Sequence, residues 1–299
     1  MKSLALTVLV HEGPMARSYL GLLRAAGHRV ERIVLMVGKR DPVTHQLLAP
    51  WLPSAFRHPF ARMLQDLRMN YWPRELLRRH RALCGPWLNS LARTCDIDEG
   101  VYRCLTERLD YAAFADTVDE VFCDGLGDPE LVRHLRQLPG RQTILFTGGG
   151  MVPPSLLRLP QCRFIHVHPG VLPNVRGADA LLWSMLLRGR PGGTLFYMST
   201  GLDTGEIILA SDLDIPPLPD GFAALDAATA YRLIYAFVDP MWRAVLLRRV
   251  IEQAQGELFN LPTTVQREEE GSTFHFMNER MRRFAFERMV NLAGNAAPA

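Results

Sequence analysis

Lysine is nearly absent from this sequence. Lys2 and Lys39 are the only two, although lysine and arginine together number 34. The positive charge is therefore carried by arginine, whose planar guanidinium suits phosphate recognition. Acidic residues number 31, which leaves a net charge of only +3 and no broad electrostatic footprint for nucleic acid. The arginine-dense stretch from Arg57 to Arg103 is interleaved with apolar residues at helical spacing, the pattern of solvated helix faces. Cysteine is sparse as well: the five (Cys84, Cys95, Cys104, Cys123 and Cys162) are odd in number and include no C-x-x-C pair. That excludes a disulfide framework and a zinc ribbon, and leaves buried, inert thiols as the expectation. No apolar run approaches the ~18 residues that a membrane span needs. The apolar run after Met1-Lys2 is followed by no small-residue cleavage site, so it reads as a strand, and a cytoplasmic location is expected. The first strand-to-helix turn has too few glycines for a dinucleotide fingerprint, so neither NAD nor FAD is expected.

What is present is a globular composition, 48% hydrophobic and 22% charged, on 299 residues. Leu4 to Val10 is a short apolar run ended by His11-Glu12-Gly13-Pro14. A helical pattern follows from about Met15 to Ala26, and Arg29 to Val37 reads as a second strand. This strand–helix–strand opening predicts a parallel α/β sheet. Residues from about 42 to 118 carry six prolines between 42 and 86 and read as a helical insertion. Strand rhythm resumes at Val121-Phe122-Cys123, and Asp128-Pro129 caps a helix to about Leu138. Thr143 to Thr147 and Arg163 to His168 read as strands, Ala180 to Arg188 as a helix, and Thr194 to Met198 and Glu206 to Leu213 as two more strands. A long helix is predicted over about Ala223 to Glu252, kinked or split at Asp239-Pro240. The tail from Phe274 to Leu292 reads as a last helix or two.

The chemistry concentrates between His166 and Gly205. His166 and His168 are two apart on a strand end, so they share a face. Asp203 lies on a glycine-flanked turn, and a carboxylate that reaches a histidine orients it and raises its basicity, a general acid/base arrangement. Gly148-Gly149-Gly150 follow a buried strand and allow close approach of a ligand to the backbone. His11 and Glu12 end the first strand, at the sheet edge where ligands bind in this architecture. The same His166, His168 and Asp203 have the composition of a two-histidine, one-carboxylate metal site, with iron(II) or zinc as the alternative reading.

The run HVHPGVLPNVRG followed by GGTLFYMSTGLDTGEI resembles the folate-dependent formyltransferases, which include methionyl-tRNA formyltransferase and glycinamide ribonucleotide transformylase. Their pattern is Asn-x-His-Pro-Ser-Leu-Leu-Pro, then Arg-Gly, Gly-x-Thr and Leu-Asp-x-Gly, and the match covers about residues 145 to 210. The resemblance implies a Rossmann-like α/β fold and 10-formyltetrahydrofolate as formyl donor, with no metal required. It keeps His168 and Asp203 as proton-moving residues. The family's catalytic asparagine falls on His166, and its serine on Gly170. A neutral His166 with an N–H aimed inward would replace the amide as oxyanion donor. Gly150, Met151 and Val152 resemble the segment lining the pterin pocket, and Gly201 and Leu202 belong to the aspartate motif, so these five are expected against the folate. Arg176 matches the Arg-Gly of the motif and, with His11, is a candidate contact to the acceptor.

The expected organisation is an α/β formyltransferase-like domain over 1–214, with the insertion at 42–118, and a helical extension over 215–299. Because tRNA-formylating relatives carry a C-terminal β-barrel, a small-molecule amine or hydroxylamine in specialised metabolism is the expected acceptor. No membrane or nucleic-acid partner is expected, and a homodimer is compatible. Besides the metal-dependent hydrolase or oxygenase, a non-catalytic folate-binding relative is the alternative.

Overall fold

The computed structural model describes every residue except 42–43, 69–70, 99, 216 and 297–299. In chain order the elements are β1 (Lys2–Val10), α1 (Pro14–Ala25), β2 (His28–Gly38), α2 (Ser54–Arg68), α3 (Tyr71–Arg79), α4 (Arg81–Thr94), α5 (Gly100–Thr106), β3 (Ala115–Cys123), α6 (Pro129–Arg136), β4 (Gln142–Phe146) and α7 (Pro154–Leu157). There follow β5 (Cys162–His168), β6 (Val175–Gly177), α8 (Ala180–Arg188), β7 (Gly192–Tyr197), β8 (Ile207–Asp212), α9 (Ala227–Leu233), α10 (Asp239–Gln253), β9 (Ser272–Phe274) and α11 (Glu279–Ala296).

Seven strands form one sheet in the order β3-β2-β1-β4-β5-β7-β8. The first five pair in parallel, and β7 and β8 are antiparallel. This is the mostly parallel α/β architecture that the opening strand–helix–strand predicts. Side chains along β5 alternate between the two faces: Ile165 and Val167 enter the core beneath α1 and α10, while Phe164 enters the core beneath α6 and α7. His166 and His168 follow the parity of Phe164.

Local signals act as expected at several ends. Pro14 opens α1, and the Asp128 carboxylate caps α6 by accepting from the Glu130 N–H at 2.8 Å. Ahead of Pro240 the helix unwinds locally into a π-turn, Ile234–Val238. Proline has no N–H and its ring crowds the carbonyl four residues back, so the π-turn absorbs the misfit and the helical direction continues into α10.

The boundary expected near residue 214 does not interrupt the core. Trp242, Val245, Leu246 and Leu247 of α10 are buried in one cluster with Leu4 of β1 and Val167 of β5. The insertion is helical, as expected, and it joins the same cluster. Its Trp87 donates Nε1–H to the Pro217 carbonyl at 2.7 Å, and its ring meets Phe222 and Phe237. The third strand differs from expectation: it begins at Ala115, nine residues after α5 ends at Thr106, because a 3-10 turn at Tyr111–Ala113 delivers the chain directly to the sheet. All five cysteines are free, and burial pushes the Cys84, Cys95 and Cys162 thiols up to about 11. Among the described residues, no helix is long and apolar enough to cross a membrane.

Candidate active site

His166 and His168 stand at the carboxyl end of β5, where the sheet changes from parallel to antiparallel pairing. Both are nearly buried, with 8% and 3% exposure. The His166 Nδ1 lies 2.9 Å from the Phe146 carbonyl at the end of β4. A carbonyl only accepts, so Nδ1 carries the proton. Burial, reinforced by the Arg243 guanidinium, pushes this imidazole down to about 4. His166 is therefore neutral at pH 7, with a bare Nε2. This corrects the expectation of an inward N–H: the single proton is committed to the backbone.

His168 is held in the opposite sense. Its Nε2 lies 2.8 Å from the Val175 carbonyl and so carries the proton, while Nδ1 faces the Asp203 Oδ2 at 3.5 Å. Burial lowers the proton affinity of His168, and Asp203 opposes that. A bare ring nitrogen facing a carboxylate has room for one proton between two acceptors.

Asp203 is fixed by its own loop. It holds φ at 56°, in the left-handed region that a β-carbon disfavours, and its Oδ2 accepts from the Gly177 N–H at 2.9 Å. The Gln266 side chain donates Nε2–H to the carbonyls of Asp203 and Gly205 at 3.0 and 2.5 Å. The loop after β5 is pinned by Thr194, whose hydroxyl donates to the Gly170 carbonyl at 2.8 Å and accepts from the Leu172 N–H at 3.0 Å. A β-carbon at Gly170 would stand 2.9 Å from the Val175 carbonyl oxygen and 3.0 Å from the His168 Nε2. Glycine at this position is what lets that hydrogen bond close.

A cleft of about 270 Å³ opens beside this edge. The carboxyl ends of β1, β2 and β3 form its floor, with His11, Met36, Gly38 and Cys123, and α2 forms a wall with Leu64, Gln65 and Arg68. Between it and β5 runs the segment after β4, where a β-carbon at Gly148 would lie 3.3 Å from the His11 Cβ.

Residues 118–230 match the model of the formyl transferase family. This part of the chain is similar to that family. Over 95 residues, 31% of this chain and 30% of the relative, the sequence is 37% identical to methionyl-tRNA formyltransferase of Syntrophus aciditrophicus (strain SB). Over 147 residues, 49% of this chain and 15% of the relative, it is 29% identical to cytosolic 10-formyltetrahydrofolate dehydrogenase of Pongo abelii. The chain thus spans less than a third of the length of these relatives. A sugar N-formyltransferase from Shewanella sp FDAARGOS_354 superimposes with a TM-score of 0.44 at 11% identity, over 97% of this chain and 88% of that one.

Within the matched segment lie His166, His168, Asp203, Gly201 and Leu202, the last two on the same turn as Asp203. Gly150 (φ 88°) and the 67%-exposed Met151 lie on the loop after β4, whereas Val152 is 5% exposed and packs into the core beneath α6 and α7. Arg176 points elsewhere. It is 5% exposed, and its guanidinium donates to Gln266 Oε1 at 3.2 Å and to the Arg267 carbonyl at 3.2 Å, so it braces the glutamine that holds the Asp203 turn. Glu12 is 2% exposed, pairs with Arg17 at 2.5 Å and accepts from the Tyr111 hydroxyl. That network engages both carboxylate oxygens, although Glu12 still lines the cleft beside the exposed His11. Among the described residues, no group of three or more His, Cys, Asp or Glu side chains is arranged to hold a metal ion.

Three residues outside the motifs complete the site. Arg243 of α10 donates to the Val167 carbonyl at 3.0 Å and pairs with Asp239 at 2.9 Å. An Asp–Arg pair four apart in a helix that is otherwise apolar on that side was its only signal. Gln266 had none. Asp179, at φ 51°, accepts from the Tyr231 and Tyr235 hydroxyls at 2.7 and 3.0 Å and from the Met277 N–H at 2.8 Å.

Proposed function

We propose that this protein transfers a formyl group from 10-formyltetrahydrofolate to an amine or hydroxylamine nitrogen of a small-molecule acceptor in specialised metabolism. The observation that carries the reading is the His168–Asp203 pair, 3.5 Å apart at the sheet edge inside the segment that matches the formyl transferase family. Formyl transfer needs that chemistry. The acceptor nitrogen attacks the formyl carbon, the bond from that carbon to N10 of the folate breaks, and N10 gains a proton. A histidine and carboxylate that share one proton can deliver it and recover it from solvent.

The folate is assigned to the loops that carry Gly150, Met151, Gly201 and Leu202. Both glycines hold φ values that a β-carbon disfavours, 88° and 129°. Met151 and Leu202 leave apolar surface exposed, which suits a planar ring. Val152 supports this loop from the core. The acceptor is assigned to the cleft, whose volume of about 270 Å³ admits a small molecule. Arg40 and Arg68 on its lining, balanced by Asp41 and Asp124, suit an acceptor that carries its own charges.

The test is incubation with 10-formyltetrahydrofolate and a panel of small amines, amino sugars, hydroxylamines and methionyl-tRNA, read by tetrahydrofolate formation and product mass. A formylated small molecule supports the proposal. Formyl-methionyl-tRNA alone would replace the acceptor, and formate alone would make the activity hydrolytic. Folate binding that survives His168→Ala, with no turnover by the wild type, would make this a binding protein.

A further inference from the structure

We infer that His166 is the base that takes the proton from the attacking nitrogen, at its Nε2, and that it is not a donor to the oxyanion. This inference rests on the formyl-transfer reading above. Its basis is where the ring protons go. His166 spends its N–H on the Phe146 carbonyl and His168 spends its own on the Val175 carbonyl, so in the neutral ring each has one nitrogen left, and both are acceptors. The resemblance that leads to this site expects an amide at position 166, which can donate. The imidazole here, locked by the end of β4, cannot.

The ring is held where a base is useful. Phe146 and Phe196 pack about it with ring centroids at 5.7 and 6.1 Å, which fixes its plane. Nε2 has no hydrogen-bond partner among the described residues and still reaches solvent. The charged and titratable groups that act on it are Arg243 from α10, Asp203 from the turn after β7, and His168 from β5. Arg243 disfavours the imidazolium and so favours rapid return of the proton once it has been taken.

The acceptor nitrogen forms a bond to the formyl carbon as the carbonyl π pair moves onto oxygen, and its proton passes to His166 Nε2. The oxygen pair then re-forms the carbonyl, the bond to N10 breaks, and N10 takes a proton that the His168–Asp203 pair has first taken up from solvent. His166 then loses its proton to water, which restores both groups. The net change is one proton moved from the acceptor nitrogen to N10.

Two measurements test this on the full chain. In nitrogen NMR of isotope-labelled wild type at neutral pH, His166 is expected to show a protonated Nδ1 and a bare Nε2; a protonated Nε2 would overturn the inference. In the transfer assay, His166→Asn, which restores a donor but no base, is expected to lose 10²–10⁴-fold in kcat, as His166→Ala does. Imidazole in the buffer should restore part of the His166→Ala rate. If His166→Asn matches or exceeds the wild type, the residue acts as a donor and the base role fails. If the wild type neither transfers nor hydrolyses the formyl group, the functional reading fails and takes the base role with it, which the active-wild-type outcomes distinguish.

Discussion

A histidine buried in its neutral form makes stability depend on pH in a calculable direction. In the folded protein His166 titrates at about 4, against 6.5 for a free histidine. Between those values the unfolded chain binds more protons than the folded one, so stability is full above pH 6.5 and is lost as pH falls through 4. His168 is shifted in the same direction. Denaturant unfolding of the wild type is therefore expected to show a steep loss of stability between pH 6.5 and 4. In His166→Gln, whose side chain does not titrate, that loss should be smaller. Equal pH slopes in the two proteins would mean that His166 is charged in the folded state.

Single elements here do separable jobs. The turn that carries Asp203 is tied down by Gln266, which satisfies two of its carbonyls. Gln266→Ala frees the turn without touching a ring nitrogen. It is expected to lower kcat about 10-fold or more, with little change in the KM for folate, because the carboxylate loses its aim at His168. Stability should fall by about 1–2 kcal/mol through the unpaired carbonyls. A rise in KM with unchanged kcat would show that the turn serves binding instead. Helix α2 has a different task, as the wall of the cleft. Leu64→Trp should fill part of the 270 Å³ and raise the KM for the acceptor, while formate release in the absence of acceptor is unchanged. If both activities fall together, the cleft is not the acceptor site.

Taken as a whole, the molecule uses its C-terminal third to clamp the site. Asp179 gathers Tyr231, Tyr235 and the Met277 N–H from that third onto the loop that follows β6, and β9 pairs with β6 beside Gly177, the donor to Asp203. Asp179→Ala leaves these buried donors without an acceptor and should cost about 3 kcal/mol in denaturant unfolding. Activity should fall further than the folded fraction explains, since Gly177 would no longer be held against Asp203. A variant with wild-type stability would show that this clamp is dispensable.

Much of the architecture is legible one segment at a time. Apolar runs of strand length, Pro14 and Asp128-Pro129 at helix starts, and Asp239-Pro240 as a point of helical irregularity are local signals, and local sterics and hydrogen bonding enforce them. The His166–His168 parity is equally local, since a strand alternates faces whatever surrounds it. The roles of Arg176 and Glu12 are not local: nothing in the neighbouring residues says that one will brace Gln266 and the other will be buried against Arg17 and Tyr111. The pairing of β6 with β9 joins segments about a hundred residues apart and carries no periodic signature. Least legible of all is which nitrogen of each histidine holds its proton. Residue identity determines that two imidazoles and a carboxylate are available, because side-chain chemistry travels with the sequence. Which lone pairs remain free is decided only when Phe146 and Val175 bring their carbonyls to the rings, because a hydrogen bond depends on positions that packing alone can set.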